Sequence, residues 1–114
     1  MTEFHRIELP QGTLDLLVLQ ILDSEPQHGW GISERLNQRS NGALQVQQGS
    51  LYPALHRMER KGLVKGKWRL SENGRRAKYY ELTAQGRKHL RAETESWSRL
   101  TNTVALILEP GAGQ

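Results

Sequence analysis

The 114-residue chain contains no cysteine, which excludes disulfide stapling, zinc-thiolate centres and thiol nucleophiles and fits a reducing cytoplasm. Its four histidines, His5, His28, His56 and His89, are scattered. None lies at the close spacing by which a strand or helix offers two ligands to one ion, so neither metal nor cofactor is expected. No apolar run approaches bilayer thickness, and Met1 to Ile7 has no hydrophobic core of signal-peptide length. The expectation is a soluble, cytoplasmic protein without membrane contact. Internal repeats and low-complexity tracts are also missing, and the length suits one domain with a real core but not a second. Serine, histidine and the carboxylates form no recognised nucleophile motif. Gly29-Trp30-Gly31 lacks the preceding strand and third glycine of a dinucleotide loop, so no enzyme is expected.

Charge, by contrast, is concentrated. Twelve of the sixteen lysines and arginines lie between His56 and Arg91, opposed there only by Glu59, Glu72 and Glu81. That segment carries +9 and the rest of the chain −5, although the net charge is only +4. Such separation builds a local positive field that steers polyanions. Clustering on one supersecondary unit favours nucleic acid over a merely solvated surface.

Hydrophobic spacing divides the chain into elements. Leu14, Leu17, Val18, Ile21 and Leu22 mark one face of a helix over Gly12 to Ser24, ended by Glu25-Pro26. Leu16 and Leu19 fall off that stripe, and a helix apolar on two sides buries one in its own core and the other against a partner. Ile32 and Leu36 define a second helix, about Gly29 to Arg39, which stops in Ser40-Asn41-Gly42. Ala43 to Gln47 reads as a short edge strand. Leu51, Leu55 and Met58 stripe a third helix from about Gly49 to Gly62, with Pro53 near its first turn, where a missing N–H costs little.

Leu63 to Leu70 alternates, with Val64, Trp68 and Leu70 on one side and Lys65, Lys67 and Arg69 on the other. Ser71-Glu72-Asn73-Gly74 carries the Asn-Gly pair of tight hairpins, and Ala77 to Leu82 is a return strand. The pattern leaves open which of Tyr79 and Tyr80 is buried, though sharing a face with Leu82 favours Tyr80. Thr83 is a credible N-cap for a last helix reaching about Leu108. Within it Leu90, Trp97, Leu100, Val104 and Ile107 form a heptad seam interrupted by Glu93. The order predicts an α+β fold, mainly α with a small β-hairpin. Residues 9–83 would form a winged helix-turn-helix, 84–108 a C-terminal dimerisation helix, and 1–8 and 109–114 flexible ends.

A chain this small has no use of its own for a heptad seam. Leu16, Leu19, Leu90, Trp97, Leu100, Val104 and Ile107 are therefore candidate dimer-interface or effector contacts. On the third helix the face opposite the stripe carries Ser50, Tyr52, His56, Arg57 and Arg60, and in a winged helix that element enters the major groove. An arginine there can reach guanine O6 and N7 or a phosphate. Gln48 and Ser50 can donate to phosphate beside the helix N-terminus. Tyr52, about 100° from Leu51 around the helix, suits a half-buried structural role or a phosphate or base contact. Arg75, Arg76 and Lys78 stand beside the projecting hairpin tip. Lys65, with Lys67 and Arg69, is a secondary contact, because lysine on an edge strand also serves solubility.

Five blocks in order resemble the PadR family of bacterial transcriptional regulators in its short form. They are Leu9-Pro10-Gln11-Gly12-Thr13-Leu14, His28-Gly29-Trp30-Gly31-Ile32, Gly49-Ser50-Leu51-Tyr52-Pro53-Ala54-Leu55, Glu59-Arg60-Lys61-Gly62-Leu63-Val64, and Lys78-Tyr79-Tyr80-Glu81-Leu82-Thr83 with Gly86. The resemblance implies a winged-helix homodimer on double-stranded DNA at an inverted-repeat operator, usually a repressor and often released by a small aromatic or apolar effector. It also implies that Gly49 to Tyr52 and the residues after them, Pro53 included, read the major groove, with Arg75, Arg76 and Lys78 in the wing. Trp97 would line an effector pore between subunits or simply fill the seam. Two departures stand out: Trp30 replaces an aromatic of tyrosine type, and Glu72 puts a negative charge at the wing tip. The competing class is a winged-helix protein-interaction module without sequence-specific DNA binding, which leaves the basic cluster unexplained.

Overall fold

The computed structural model describes residues 9, 10 and 12–111; residues 1–8, 11 and 112–114 lie outside it, and with them the reading of Met1 to Ile7 and most of the expected flexible ends. Helix α1 (Thr13–Ser24) turns Val18, Leu19, Ile21 and Leu22 inward and stops where Glu25 becomes extended ahead of Pro26. A two-residue strand β1 (Gln27–His28) follows, and His28 Nδ1 accepts the Gly31 N–H at 3.0 Å, capping α2 (Gly29–Arg39).

Helix α3 (Gln48–Arg60) seals its inner face completely, with Leu51, Leu55 and Met58 all at 0% exposure against Val18, Ile32 and Tyr80 in one core. Each such side chain contributes about 1.5–3 kcal/mol, so the opposite face is presented by a rigid element. The end of α3 is set by Gly62 at φ 77, where Leu63 N–H donates to Met58 O and Gly62 N–H to Glu59 O, both at 3.0 Å. That left-handed step reverses the chain into β2 (Val64–Leu70), which pairs antiparallel with β3 (Arg76–Leu82) from Val64↔Leu82 to Leu70↔Arg76.

Three sequence expectations need correction. The sheet has a third strand, but it is β1, paired Gln27↔Tyr80 and His28↔Tyr79, and not Ala43 to Gln47. The latter segment is tied to α2 instead, with Val46 O accepting from Ser33 Oγ at 3.2 Å and Leu44 buried. Pro53 stands in the second turn of α3, because the helix begins at Gln48; it leaves the Gly49 carbonyl to solvent, where both residues are exposed. Finally, only Val64 of its alternating face reaches the core. Trp68 and Leu70 are 60% and 67% exposed because the hairpin outruns the body that would cover them.

Its tip is a loop of three residues, Glu72 to Gly74, closed by Ser71 N–H to Arg75 O at 2.7 Å, with only Gly74 in the left-handed region. Tyr80, at 1% exposure, is the buried tyrosine of its pair. Thr83 caps α4 (Ala84–Leu108) by accepting the Gly86 N–H at 2.9 Å. Leu90 is the last buried residue of α4; every residue from Arg91 to Leu108 is exposed on this protomer. Glu109, within the described part of the expected flexible end, still donates its N–H to Ala105 O.

Candidate nucleic-acid interface

With its stripe buried, α3 turns Gly49, Pro53, His56 and Arg60 to solvent, flanked by Tyr52 on one side and by Ser50 and Arg57 on the other. The hairpin stands beside it, and between the two runs an open groove of about 870 Å³. Trp30, Tyr52 and His56 form one bank, and Trp68, Arg75, Arg76 and Lys78 the other. A helix with one rigid exposed face, flanked by a cationic projection, has the shape that a major groove and its adjoining backbone accept.

The predicted site residues divide into those the fold brings together and those it diverts. Tyr52, His56, Arg75 and Arg76 meet across the groove, and the Arg76 guanidinium lies 5.5 Å over the Trp68 ring. Arg60 is exposed on the same helix and makes no ion pair among the described residues. Arg57 turns toward α1, donating to Asp15 Oδ1 at 2.8 Å. The Gln48 amide is used within the fold, donating to Ser33 Oγ at 2.9 Å. Tyr52 packs directly over Gly29, where a Cβ would lie 2.6 Å from its hydroxyl oxygen, so its ring is part of the α2–α3 contact even though it is 41% exposed.

Lys65 is on the other face of the hairpin from the groove. Lys65 and Lys67 both reach Glu81, at 3.5 and 3.4 Å, and Arg69 stacks 3.9 Å from the centre of Tyr79. Desolvation would raise the Glu81 carboxyl, but Lys67 and then Lys65 outweigh it and hold the group below its ordinary value. Burial pushes the Tyr80 phenol up, against the nearby Lys78 charge. Lys78 itself bonds Glu59 Oε1 at 3.1 Å.

The candidate interface residues on the helices also divide. Leu19 and Leu90 belong to the protomer's own core, at 1% and 5% exposure, so they are withdrawn as subunit contacts; α1 packs its second apolar side against α4 of the same chain. Leu16 and Trp97 line a shared apolar pocket of about 370 Å³ between those helices, and Leu100, Val104 and Ile107 stand exposed beyond it. Sequence reasoning missed Trp30 and Trp68 as the exposed walls of the groove, and the carboxylates Asp15, Glu59 and Glu81 that occupy four of the cations. Nothing local signals those pairings, which join residues 14 or more positions apart.

Residues 18–92 match the family described as "Transcriptional regulator PadR-like family". The chain belongs to that family. A PadR-like transcriptional regulator from Bacillus cereus is 32% identical, with a TM-score of 0.77, and the match covers 87% of this chain and 94% of that one. A PadR family transcription regulator from Clostridium difficile is 31% identical at a TM-score of 0.76, over 86% of this chain and 100% of that one. An uncharacterized 37.1 kDa protein in a transposon of Streptomyces fradiae is 40% identical over 89 residues, which are 78% of this chain but only 24% of that protein. This PadR-like protein is thus a DNA-binding transcriptional regulator of winged-helix fold and not an enzyme. Among its described residues, no helix is long and apolar enough to cross a membrane.

Proposed function

We propose that this PadR-like regulator is a cytoplasmic homodimeric repressor that binds an inverted-repeat operator and is released by a small apolar or aromatic effector. The observation that carries the reading is the pairing of one rigid exposed face, on α3, with a cationic hairpin across a common groove. Arg60, Arg75 and Arg76 supply the phosphate and base-edge contacts, with His56, Ser50 and the exposed start of α3 beside them. Arg57 contributes only by giving up Asp15, and Lys65 adds to the surrounding field. The unburied seam of α4, Trp97, Leu100, Val104 and Ile107, supports a two-fold partner, because eighteen consecutive exposed residues otherwise leave apolar side chains in water. The effector site we assign to the pocket between Leu16 and Trp97.

Three arginines in each protomer give about six phosphate neutralisations per dimer, and so a slope of log K against log salt of about −5. Anisotropy titrations of a labelled duplex from upstream of the chain's own gene, at several salt concentrations, measure it. Binding that is equally strong on a scrambled duplex, or a slope near zero, rejects operator recognition and leaves the protein-interaction alternative. Half-sites are expected about 34 Å apart along the duplex, one helical turn, or at a multiple of it.

A further inference from the structure

Lys78 sits on the wing, where an unpaired lysine would meet phosphate. Its side chain goes elsewhere. Lys78 pairs with Trp68 across the hairpin, and its stem crosses Gly66, where a Cβ would lie 2.2 Å from Lys78 Cε. The ammonium then passes 5.4 Å from the centre of the buried Tyr80 ring and donates to Glu59 Oε1 at 3.1 Å. Both partners are about two-thirds withdrawn from solvent, at 28% and 33% exposure, and Glu59 projects from the last turns of α3. The hairpin is otherwise free of the body beyond Val64, so this is the one ion pair, among the described residues, that ties β3 to α3.

We propose that Lys78 is a positioning residue and not a DNA ligand: Lys78 and Glu59 form a strut that sets the spacing and angle between the wing and α3. The glycine at position 66 is what lets the lysine stem pass. The geometry matters because α3 and the wing must engage one duplex together, and a wing free to swing would lose part of its binding in ordering. A charge-assisted bond shielded from water holds that angle better than an exposed pair would. This inference rests on the operator-binding reading above.

The two roles for Lys78 predict opposite signs. If Lys78 met phosphate, Glu59→Gln would remove a competing and repelling carboxylate and strengthen binding. As a strut partner, Glu59→Gln weakens binding about five- to tenfold, the scale of one charge-assisted hydrogen bond, even though it makes the face more positive. Gly66→Ala keeps both charges and is expected to weaken operator binding similarly by displacing the stem. The exchanged pair, Glu59→Lys with Lys78→Glu, recovers most of the affinity lost by Lys78→Glu alone. Hydrogen exchange of β2 and β3 amides in the DNA-free protein, severalfold faster in Glu59→Gln than in wild type, reads the strut without reference to DNA. Unchanged or tighter operator binding by Glu59→Gln, with unchanged hairpin exchange, overturns the proposal. A wild-type protein that fails to distinguish its operator overturns the DNA reading instead, and the exchange comparison still decides the strut.

Discussion

Replacing Thr83 by valine tests how the DNA-facing half of the molecule is joined to α4. The Thr83 hydroxyl accepts the Gly86 N–H at 2.9 Å and donates to the Gly62 carbonyl at 2.6 Å, while Thr83 N–H donates to Leu63 O at 3.1 Å. One side chain therefore links the left-handed end of α3, the start of β2 and the first turn of α4. The contact is close: a Cβ at Gly86 would lie 2.0 Å from the Leu63 carbonyl oxygen. Valine keeps the branched shape and removes both hydroxyl bonds. Losing the cap costs about 1 kcal/mol, and leaving the part-buried Gly62 carbonyl unpaired costs about 1 kcal/mol more. For a domain of this size the sum of about 2 kcal/mol lowers the melting temperature by about 8 °C. Calorimetry at one fixed protomer concentration measures it, since the melting temperature of a dimer depends on concentration. Thr83→Ser retains the hydroxyl and should stay within about 0.5 kcal/mol of wild type. A valine variant that melts within about 2 °C of wild type, or a serine variant as damaged as valine, refutes this account of the junction.

Arg60→Ala should cost about 1–3 kcal/mol of operator binding and lower the magnitude of the salt slope by about 0.9, whereas Arg57→Ala, whose partner is Asp15, should cost less; anisotropy on one duplex orders the two. Leu100→Glu puts a charge into the exposed seam of α4 and should shift sedimentation toward monomer, with operator affinity falling alongside. Trp97→Ala should blunt the response to an apolar effector more than it changes operator affinity, and an unchanged response in a folded dimer rejects the pocket as the effector site. The Glu81 carboxyl, held below its ordinary value, contributes stability that is full above pH 4.5 and is lost as pH falls through its lowered folded value. Carbon-13 NMR of Glu81 should show its midpoint rising in Lys67→Met, the larger of its two lysine partners.

The elements were legible wherever a repeat of side-chain type mirrors a repeat of backbone geometry. Leu51, Leu55 and Met58 give the buried stripe of α3, Gly62 its end, and Thr83 the start of α4, because each signal lies within one or two turns of its effect. Strand β1 was not legible. Two residues carry no periodicity, and the partner that makes Gln27–His28 a strand is Tyr79 and Tyr80, half the chain away. Leu19 and Leu90 were misassigned for a related reason. A wheel shows that a side chain leaves one stripe, but not which neighbour covers the other side, and here α4 of the same chain covers it.

The basic cluster shows the same limit in electrostatic form. Charge counted along the sequence treats twelve cations as equal sources of field, yet folding sets carboxylates against the very ones that strand and helix positions would offer to DNA. Asp15 engages Arg57, Glu81 holds Lys65 and Lys67 behind the hairpin, and Glu59 holds Lys78 beneath it. What remains around the groove is Arg75 and Arg76 on the wing, with Arg60 exposed on α3. Coulomb attraction falls with distance and with salt, so contacts fixed at the right spacing outweigh a larger number of cations turned aside. The acidic residues within the basic segment are therefore not dilution of its charge. By removing wrong contacts and stiffening the wing, they convert a general affinity for polyanions into one with a required geometry.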